Sequence, residues 1–187
     1  MRQRFGVLAL QGDFAAHLQA LREAGGEARE VRRVSELAGL SGLVIPGGES
    51  TTLLRHMEDA PWFDAITRFH AAGGVLVGTC AGAILLAREV RPTQPSLGLL
   101  DAAVHRNAYG RQVDSFEADL DVRGIDHPVR GVFIRAPWID EVGAGVDVLA
   151  TFEGRPVVLE QGNLLAASFH PELVGETGLH EYLARKV

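Results

Sequence analysis

The sequence predicts an α/β protein with three layers, in which helices cover both faces of a doubly wound, mostly parallel sheet. Short runs that are apolar throughout, at residues 5–10, 43–45 and 75–77, are typical of strands covered on both faces. Each run precedes a stretch with helical spacing, and this alternation favours parallel strands joined by right-handed crossovers. A change of pattern in the second half indicates an antiparallel extension of the sheet.

The predicted helices of the first half lie between these strands. Apolar residues recur at helical spacing in each of them, and glycines or a proline mark several of the ends. The helices are predicted from Phe14 to the glycines at 25–26, from a capping Ser50 or Thr51 onward, from about 61 to 72, and from 81 to 90.

The second half contains shorter strand signals. Residues 116–122 alternate apolar and acidic side chains, as a half-buried strand does. Residues 157–160 and 164–167 flank a turn with glycine, which predicts a β-hairpin. A closing helix is predicted over residues 173–187. Without an internal repeat or linker, we expect one domain over residues 1–187.

Composition narrows the classes of partner. The chain has 187 residues, 18 Lys+Arg against 24 Asp+Glu, and a formal net charge of −6. A negative balance argues against broad nucleic-acid binding, and no apolar run approaches the roughly 18 residues that a membrane span needs. We therefore expect a cytoplasmic protein that binds neither nucleic acid nor membrane. The single cysteine, Cys80, excludes an internal disulfide and a cysteine-rich zinc site.

Cys80 lies in the run Gly-Thr-Cys-Ala-Gly, residues 78–82, where a buried strand gives way to a helix. A nucleophile at such a turn needs small neighbours that relieve crowding, and the helix start favours a thiolate. The amide of Ala81 would face the oxyanion of a tetrahedral intermediate. The alternative is an inert cysteine in the core, which is the commoner role for a lone cysteine after an apolar strand.

His170 and Glu172 follow another apolar run and flank Pro171. This spacing lets His170 face the thiol while Glu172 orients the imidazole, which is the logic of a catalytic triad. Read alone, His170 also fits a surface or core histidine. We predict no metal site on Cys80, His170 and Glu172, because no second histidine or cysteine lies at ligand spacing.

A third motif, Pro-Gly-Gly-Glu-Ser at residues 46–50, also ends a predicted parallel strand. Its glycines allow a backbone amide to act as the second oxyanion donor. A plain turn or a phosphate cradle are the alternatives, although the lysine of a P-loop is missing. Ligands of doubly wound sheets bind beyond the carboxyl ends of the strands, where all three motifs fall.

These residues resemble the class I (triad) glutamine amidotransferases, and more narrowly the glutaminase subunits of pyridoxal 5′-phosphate synthases. The order and spacing of the matching motifs fit that family over almost the whole chain. The matches are residues 10–12, 46–52, 78–82, 106–112, 114–117, 133–137 and 168–173. Departures from the family pattern are few, at Val174, Trp138 and the loosely matching segment 175–187.

The resemblance implies hydrolysis of L-glutamine to L-glutamate and ammonia without a cofactor. Cys80 would attack the side-chain amide, His170 would take the thiol proton and pass it to ammonia, and Glu172 would hold the imidazole. The ammonia would go to a separate synthase subunit for pyridoxal 5′-phosphate synthesis.

The same resemblance implies a set of substrate positions. The positions that match glutamine-binding residues are Gly48, Glu49, Ser50, Arg106, Ile134 and Arg135, and the oxyanion hole would be formed by Gly48 and Ala81. Arginines suit an α-carboxylate and Glu49 suits an α-ammonium group. Arg106 also fits a surface residue paired with acids, and Arg135 fits a purely backbone role.

Docking on the synthase would activate the family's glutaminases, so Gly47-Gly48 is the predicted switch. The turn at Gln11-Gly12 and the helix that follows Asp13 are candidates for the partner-facing surface. Two other functions fit the same residues: a cysteine hydrolase of this architecture with another substrate, and a catalytically silent interaction subunit.

Overall fold

The computed structural model describes residues 3–106 and 115–187, which form twelve strands, five α-helices and two short 3₁₀ helices. The strands are β1 (Arg4–Leu8), β2 (Glu27–Val31), β3 (Gly42–Ile45), β4 (Val75–Thr79), β5 (Ala87–Arg91), β6 (Leu100–His105), β7 (Phe116–Leu120), β8 (Val129–Phe133), β9 (Trp138–Val142), β10 (Asp147–Phe152), β11 (Arg155–Gln161) and β12 (Leu164–Ala167). The helices are α1 (Phe14–Glu23), α2 (Ser50–Met57), α3 (Trp62–Ala71), α4 (Ala81–Leu86) and α5 (Gly178–Arg185), with 3₁₀ helices at Val34–Leu37 and Pro171–Val174.

The central sheet has seven strands in the order β10-β11-β12-β4-β3-β1-β2. The strands from β12 to β2 run parallel, and β11 and β10 are added antiparallel at one edge. The predicted mostly parallel sheet with an antiparallel extension is confirmed, and so is the hairpin of β11 and β12. β4 and β12 lie side by side, with Thr79 opposite Ala167. The residues that follow these two strands therefore emerge together at one edge.

Each face of the sheet carries its own apolar core. On one face, Leu21 of α1 and Leu183 of α5 pack with Val7 and Val77 of the sheet. The core of the other face joins α2, α3 and α4 with the second sheet, β5-β6-β9. Burial of each such aliphatic side chain contributes roughly 1.5–3 kcal/mol. Helices on both faces confirm the predicted three layers.

The remaining strands bring a loop to the sheet edge. The alternation at residues 116–122 predicts a half-buried strand, and β7 lies there, paired antiparallel with β8 in a two-stranded sheet separate from the central one. β8 also bridges to His170 after β12, because Val132 and His170 exchange backbone hydrogen bonds of 2.8 and 3.3 Å. The loop that follows β8 therefore lies beside the end of β12.

Three local expectations are wrong. The helix predicted to reach residue 90 ends at Leu86, and β5 follows because parallel pairing with β6 outweighs the local helical propensity. The cap of α2 is Glu49, whose carboxylate accepts from Thr51 N at 3.4 Å, rather than Ser50 or Thr51. The closing helix is confined to α5, after the 3₁₀ helix Pro171–Val174 and Gly175, whose φ is +67°.

The strand β2 was not predicted from the sequence. This strand lies at the sheet edge and pairs with β1 in register from Glu27 to Val31. Of its side chains only Val31 is fully buried. An edge strand with charged, exposed residues lacks the apolar run that marks the other strands. Within the described residues, the helices are too short or too polar to cross a bilayer.

Candidate active site

Cys80 occupies a sharp turn between β4 and α4. Its backbone has φ +47° and ψ −105°, a strained conformation for a residue with a side chain. A Cβ on Gly78 would lie 2.5 Å from the backbone carbon of Gly82, and a Cβ on Gly82 would overlap the carbonyl of Ile45. Only glycines therefore fit at both ends of the predicted motif. The Cys80 amide is anchored to Ala167 O at 2.8 Å.

His170 and Glu172 stand at the end of the neighbouring strand. His170 Nδ1 lies 2.8 Å from Glu172 Oε1, and both side chains are almost fully buried. Pro171 begins the 3₁₀ helix that turns Glu172 back toward the ring. The backbone bridge to Val132 fixes the position of His170. Sequence and structure thus place a carboxylate behind the imidazole.

The side chain of Cys80 also acts on the imidazole of His170, and both residues line the same cavity. Burial lowers the pKa of His170, but the hydrogen bonds with Cys80 and Glu172 outweigh burial and raise this pKa to about 10. A ring with this raised pKa is suited to hold a proton beside a nucleophile. The structure therefore brings the three predicted triad residues together in the order that a triad requires.

The loop after β3 packs against the triad. A Cβ on Gly47 would overlap His170 Cε1 and lie 3.0 Å from Cys80 Cβ. Gly48 has φ +133°, and a Cβ there would overlap the side-chain amide of Gln11. Gln11 binds both sides of this loop, since its Nε2 donates to Gly47 O at 3.3 Å and its Oε1 accepts from Glu49 N at 3.2 Å. Glycines are required here by close approach.

A cavity of about 190 Å³ opens above Cys80. Of the predicted site residues, Cys80, His170 and the six substrate positions all line it, together with two residues that the sequence did not indicate. Its wall is formed by Asp13, Gly48, Glu49, Ser50, Cys80, Ile84, Arg106, Ile134, Arg135 and His170. Glu172 stands behind His170, and Ala81 is the fully buried first residue of α4. The predicted residues thus converge on one cavity.

The wall carries both signs of charge. Arg135 Nη2 lies 3.9 Å from Glu49 Oε2, and both side chains are about half exposed. Arg135 has φ +44°, a strained backbone of the kind found at functional sites. Gln94 Oε1 accepts from Ser50 Oγ at 3.0 Å and from Arg106 Nη1. No motif surrounds Gln94, so its bridging position could not be predicted from the sequence.

Part of the resemblance lies outside the described residues. The stretch 107–114, which contains most of the motif 106–112 and Asp114, is not included in the structure's description. Arg106 itself directly follows β6, and its backbone amide donates to Arg91 O at 2.9 Å.

Asp13 also reaches the triad from the start of α1. Its carboxylate lies within 4.8 Å of ligand atoms of His170 and Glu172, a spacing that fits a metal ion. The ring nitrogen of His170 and the Glu172 carboxylate already bind each other at 2.8 Å. The triad therefore explains the arrangement more directly than a metal centre does.

Comparison with known proteins gives the site its chemical family. Residues 7–187 match the SNO glutamine amidotransferase family. The chain belongs to that family. A pyridoxal 5′-phosphate synthase subunit PdxT of Deinococcus radiodurans is 55% identical over 181 residues, which are 94% of this chain and 92% of that protein. A protein of the same name from Thermus thermophilus is 54% identical over 185 residues, 97% of this chain and 96% of the relative.

Solved structures agree with this assignment to the SNO glutamine amidotransferase family. A crystal structure of a glutamine amidotransferase superposes with a TM-score of 0.91 at 50% identity and covers 97% of both chains. The structure of PurLQS from Thermotoga maritima has a TM-score of 0.72 at 17% identity, covers 98% of this chain and 97% of that one, and shows the fold alone. The predicted family and its class I glutamine amidotransferase fold are confirmed.

Proposed function

We propose that the chain hydrolyses L-glutamine to L-glutamate and ammonia through Cys80, His170 and Glu172, and delivers the ammonia to a pyridoxal 5′-phosphate synthase subunit. Membership of a glutamine amidotransferase family makes the chain a glutaminase. The observation that carries the residue assignment is the buried chain of contacts from Cys80 to His170 and from His170 to Glu172, beside a cavity. An inert core cysteine would need neither the cavity nor the strained turn.

In the first step, the Cys80 thiolate attacks the side-chain amide carbon of glutamine. The thiol proton has moved to His170, whose positive charge Glu172 stabilises. Negative charge develops on the amide oxygen, and the amides of Gly48 and Ala81 are the proposed donors to it. Both residues border the nucleophile, one in the loop after β3 and one at the start of α4.

In the second step, His170 donates its proton to the departing nitrogen, and the carbon–nitrogen bond breaks to release ammonia and leave a thioester on Cys80. A water molecule then attacks the thioester carbon, and His170, which is now neutral, takes a proton from that water. The carbon–sulfur bond breaks, glutamate leaves and the thiolate is restored. The buried Glu172 keeps the same ring orientation for both proton transfers.

The charged wall suits the amino acid end of glutamine. Glu49 offers a carboxylate to the α-ammonium group, and the guanidinium groups of Arg106 and Arg135 suit the α-carboxylate. Ser50 and Ile134 complete the proposed substrate positions on the same wall. A wall that carries both positive and negative side chains favours a zwitterionic ligand. This supports glutamine, rather than an uncharged amide, as the substrate.

The synthase subunit is the proposed ammonia acceptor, supported by the names of the relatives above. We propose that it docks at the Gln11-Gly12 turn and the start of α1. Because Gln11 binds the loop at both Gly47 and Glu49, a partner at this turn has a direct route to the predicted switch. We also propose one glutaminase domain over residues 1–187 and a cytoplasmic location, where a reactive thiol such as Cys80 stays reduced.

A glutaminase assay tests the proposal. Glutamate and ammonia release are measured for the chain alone and with the pyridoxal 5′-phosphate synthase subunit of the same organism, beside Cys80→Ala in both conditions. We expect release that rises with the synthase subunit and is abolished in Cys80→Ala. Release that persists in Cys80→Ala contradicts the nucleophile, and full turnover without a partner favours a stand-alone hydrolase. No release in any condition favours a silent interaction subunit.

A further inference from the structure

A pair of buried histidines lies behind the proposed triad. His17, on α1, has no exposed surface, and His180, on α5, is 4% exposed. His17 Nδ1 and His180 Nε2 are 2.9 Å apart. We call these two residues the histidine pair. Neither lines the cavity, so neither has a place in the reaction steps above.

The histidine pair faces the rear of the triad carboxylate. Glu172 Oε1 binds His170, and Glu172 Oε2 lies 3.3 Å from His17 Nε2. Oε2 is buried and has no hydrogen bond of good geometry within residues 3–106 and 115–187. His17 Nε2 also lies 3.1 Å from Thr79 Oγ1, at the end of the strand that carries Cys80. One ring nitrogen of His17 is thus set between two oxygens.

An ionised carboxylate only accepts hydrogen bonds, so the tautomer of His17 with hydrogen on Nε2 is the one that stabilises Glu172. Nδ1 is then an acceptor, and His180 Nε2 donates to it. The titratable groups around His17 are His180 from α5, and Glu172 and His170 from the segment after β12. The backbone and the carboxylate of Glu176 face His180, whose Nδ1 has no hydrogen bond of good geometry within the described residues.

Both histidines are neutral at pH 7. Burial, and then the charges of His180 and His170, lower the pKa of His17 well below its ordinary value. Burial lowers the pKa of His180 to about 4, although Glu176 opposes this change. A neutral pair supplies a directed N–H to Glu172 and adds no net charge that would compete with the imidazolium of His170.

We propose that His17 is a positioning residue for glutamine hydrolysis: held by His180, it directs its Nε2 hydrogen toward Glu172 Oε2 and keeps Oε1 on His170. This inference rests on the proposed triad. His17 touches no substrate and acts through Glu172 alone. Loss of its N–H takes away the ring N–H that faces the buried Oε2 at 3.3 Å, and this favours a turned Glu172 that no longer holds His170.

The first test needs no variant. Nitrogen-15 spectra of the histidine rings in the free wild-type chain at pH 7 report which nitrogen carries the hydrogen. We expect neutral rings with hydrogen on Nε2 for both His17 and His180. Hydrogen on Nδ1 of His17, or a charged His17, overturns the proposal. This outcome is independent of glutaminase activity, so it also separates a failure of this inference from a failure of the proposed function.

The second test compares two replacements at one position. His17→Phe keeps an aromatic ring of similar shape without nitrogens, and His17→Gln keeps a donor near the place of Nε2. With the synthase subunit present, we expect His17→Phe to lower kcat about tenfold with KM for glutamine within about twofold, and His17→Gln to restore kcat to within about threefold. The pKa of His170, followed by the same spectra, should fall in His17→Phe and recover in His17→Gln.

Leu18→Ala is the control for simple destabilisation. Leu18 neighbours His17 on α1 and packs in the apolar core. We expect Leu18→Ala to lower the stability of the chain while its kcat and the pKa of His170 stay as in the wild type. Equal effects of His17→Phe, His17→Gln and Leu18→Ala, or an unchanged or raised pKa of His170 in His17→Phe, contradict a positioning role.

Discussion

The inner end of the candidate active site, where Glu172 meets His17, has no exposed side-chain surface, whereas the Glu49–Arg135 pair on the outer wall is about half exposed. The contacts differ in the same way. His170 and Glu172 bind at 2.8 Å, but Arg135 and Glu49 are 3.9 Å apart. Exposed pairs at such distances contribute about 0–1 kcal/mol, while breaking a buried pair costs several times as much.

This difference separates chemistry from binding. The inner end is fixed by four parts of the fold, namely α1, β4, α5 and the segment after β12, so the proton path is set before substrate arrives. The outer wall comes from loops and helix starts, which glutamine or a docked partner can rearrange at low cost. Substitutions at the inner end should therefore lower kcat, and substitutions at the outer wall should raise KM.

The largest effect is expected for Glu172→Gln. Loss of the carboxylate removes the charge that stabilises imidazolium at His170, so the pKa of His170 falls and kcat drops about 10³-fold or more. The measurement is glutamate release at saturating glutamine with the synthase subunit. Glu58→Gln, an exposed change of the same kind, is the control. A kcat for Glu172→Gln within threefold of wild type would contradict the assigned role.

Gly47→Ala tests how closely the loop and the triad are packed. The added methyl group would overlap His170 Cε1, so the ring or the loop must move. Displacements of about 1 Å cost on the order of 10² in rate, and we expect that loss in kcat. Gly145→Ala is the matched control, because a Cβ there meets no atom within 4 Å. Equal activity of the two variants would show that the loop moves aside without displacing the triad, and this would contradict the close packing described above.

Acid should destabilise the inner end. The pKa values of His17 and His180 are lowered on folding, so the unfolded chain takes up protons below about pH 6.5 while the folded chain does not. Stability is therefore lost as pH falls from 6.5 toward 4, by about 2 kcal/mol at pH 5 for His180 and by a further amount for His17.

Urea unfolding of the free chain at pH 6.5 and pH 5 measures this loss. His180→Gln should reduce the dependence on pH, whereas His56→Gln, on the exposed face of α2, should leave it unchanged. A free energy of unfolding that is equal at both pH values would show that the histidine pair is charged in the folded state.

The smallest effect is expected at the outer wall. Arg106→Gln removes a charge from the proposed α-carboxylate position, and we expect KM to rise about tenfold with kcat within about threefold. Arg135→Gln should raise KM less, since the Arg135 side chain is 57% exposed. Arg68→Gln on the exposed side of α3 is the control. A fall in kcat without a change in KM would erase the distinction between the two ends.

The triad could be predicted from the sequence because its parts follow apolar strands. The register that sets Ala167 opposite Thr79 then brings Cys80 and His170 to one edge. The carboxyl ends of parallel strands meet at the same edge of a sheet. The prediction therefore depended only on where the strands end and not on how the side chains pack.

The histidine pair and Gln94 could not be predicted in the same way. His17 and His180 lie within helices whose facing is decided by packing on the sheet, and Gln94 lies in a loop between β5 and β6. The end of α4 at Leu86 and the strand β2 were missed for a related reason, since pairing with a distant strand decides both. Local patterns do not contain such contacts.

Covalent labelling of Cys80 probes the proposed nucleophile and its base in one measurement. The chain, in complex with the synthase subunit, is treated with a glutamine-like electrophile, and the adduct is located by mass spectrometry in wild type and His170→Asn. We expect a single adduct on Cys80, formed more slowly when glutamine is present and more slowly still in His170→Asn. An adduct elsewhere, or a rate that neither glutamine nor His170→Asn changes, would contradict the roles assigned to Cys80 and His170.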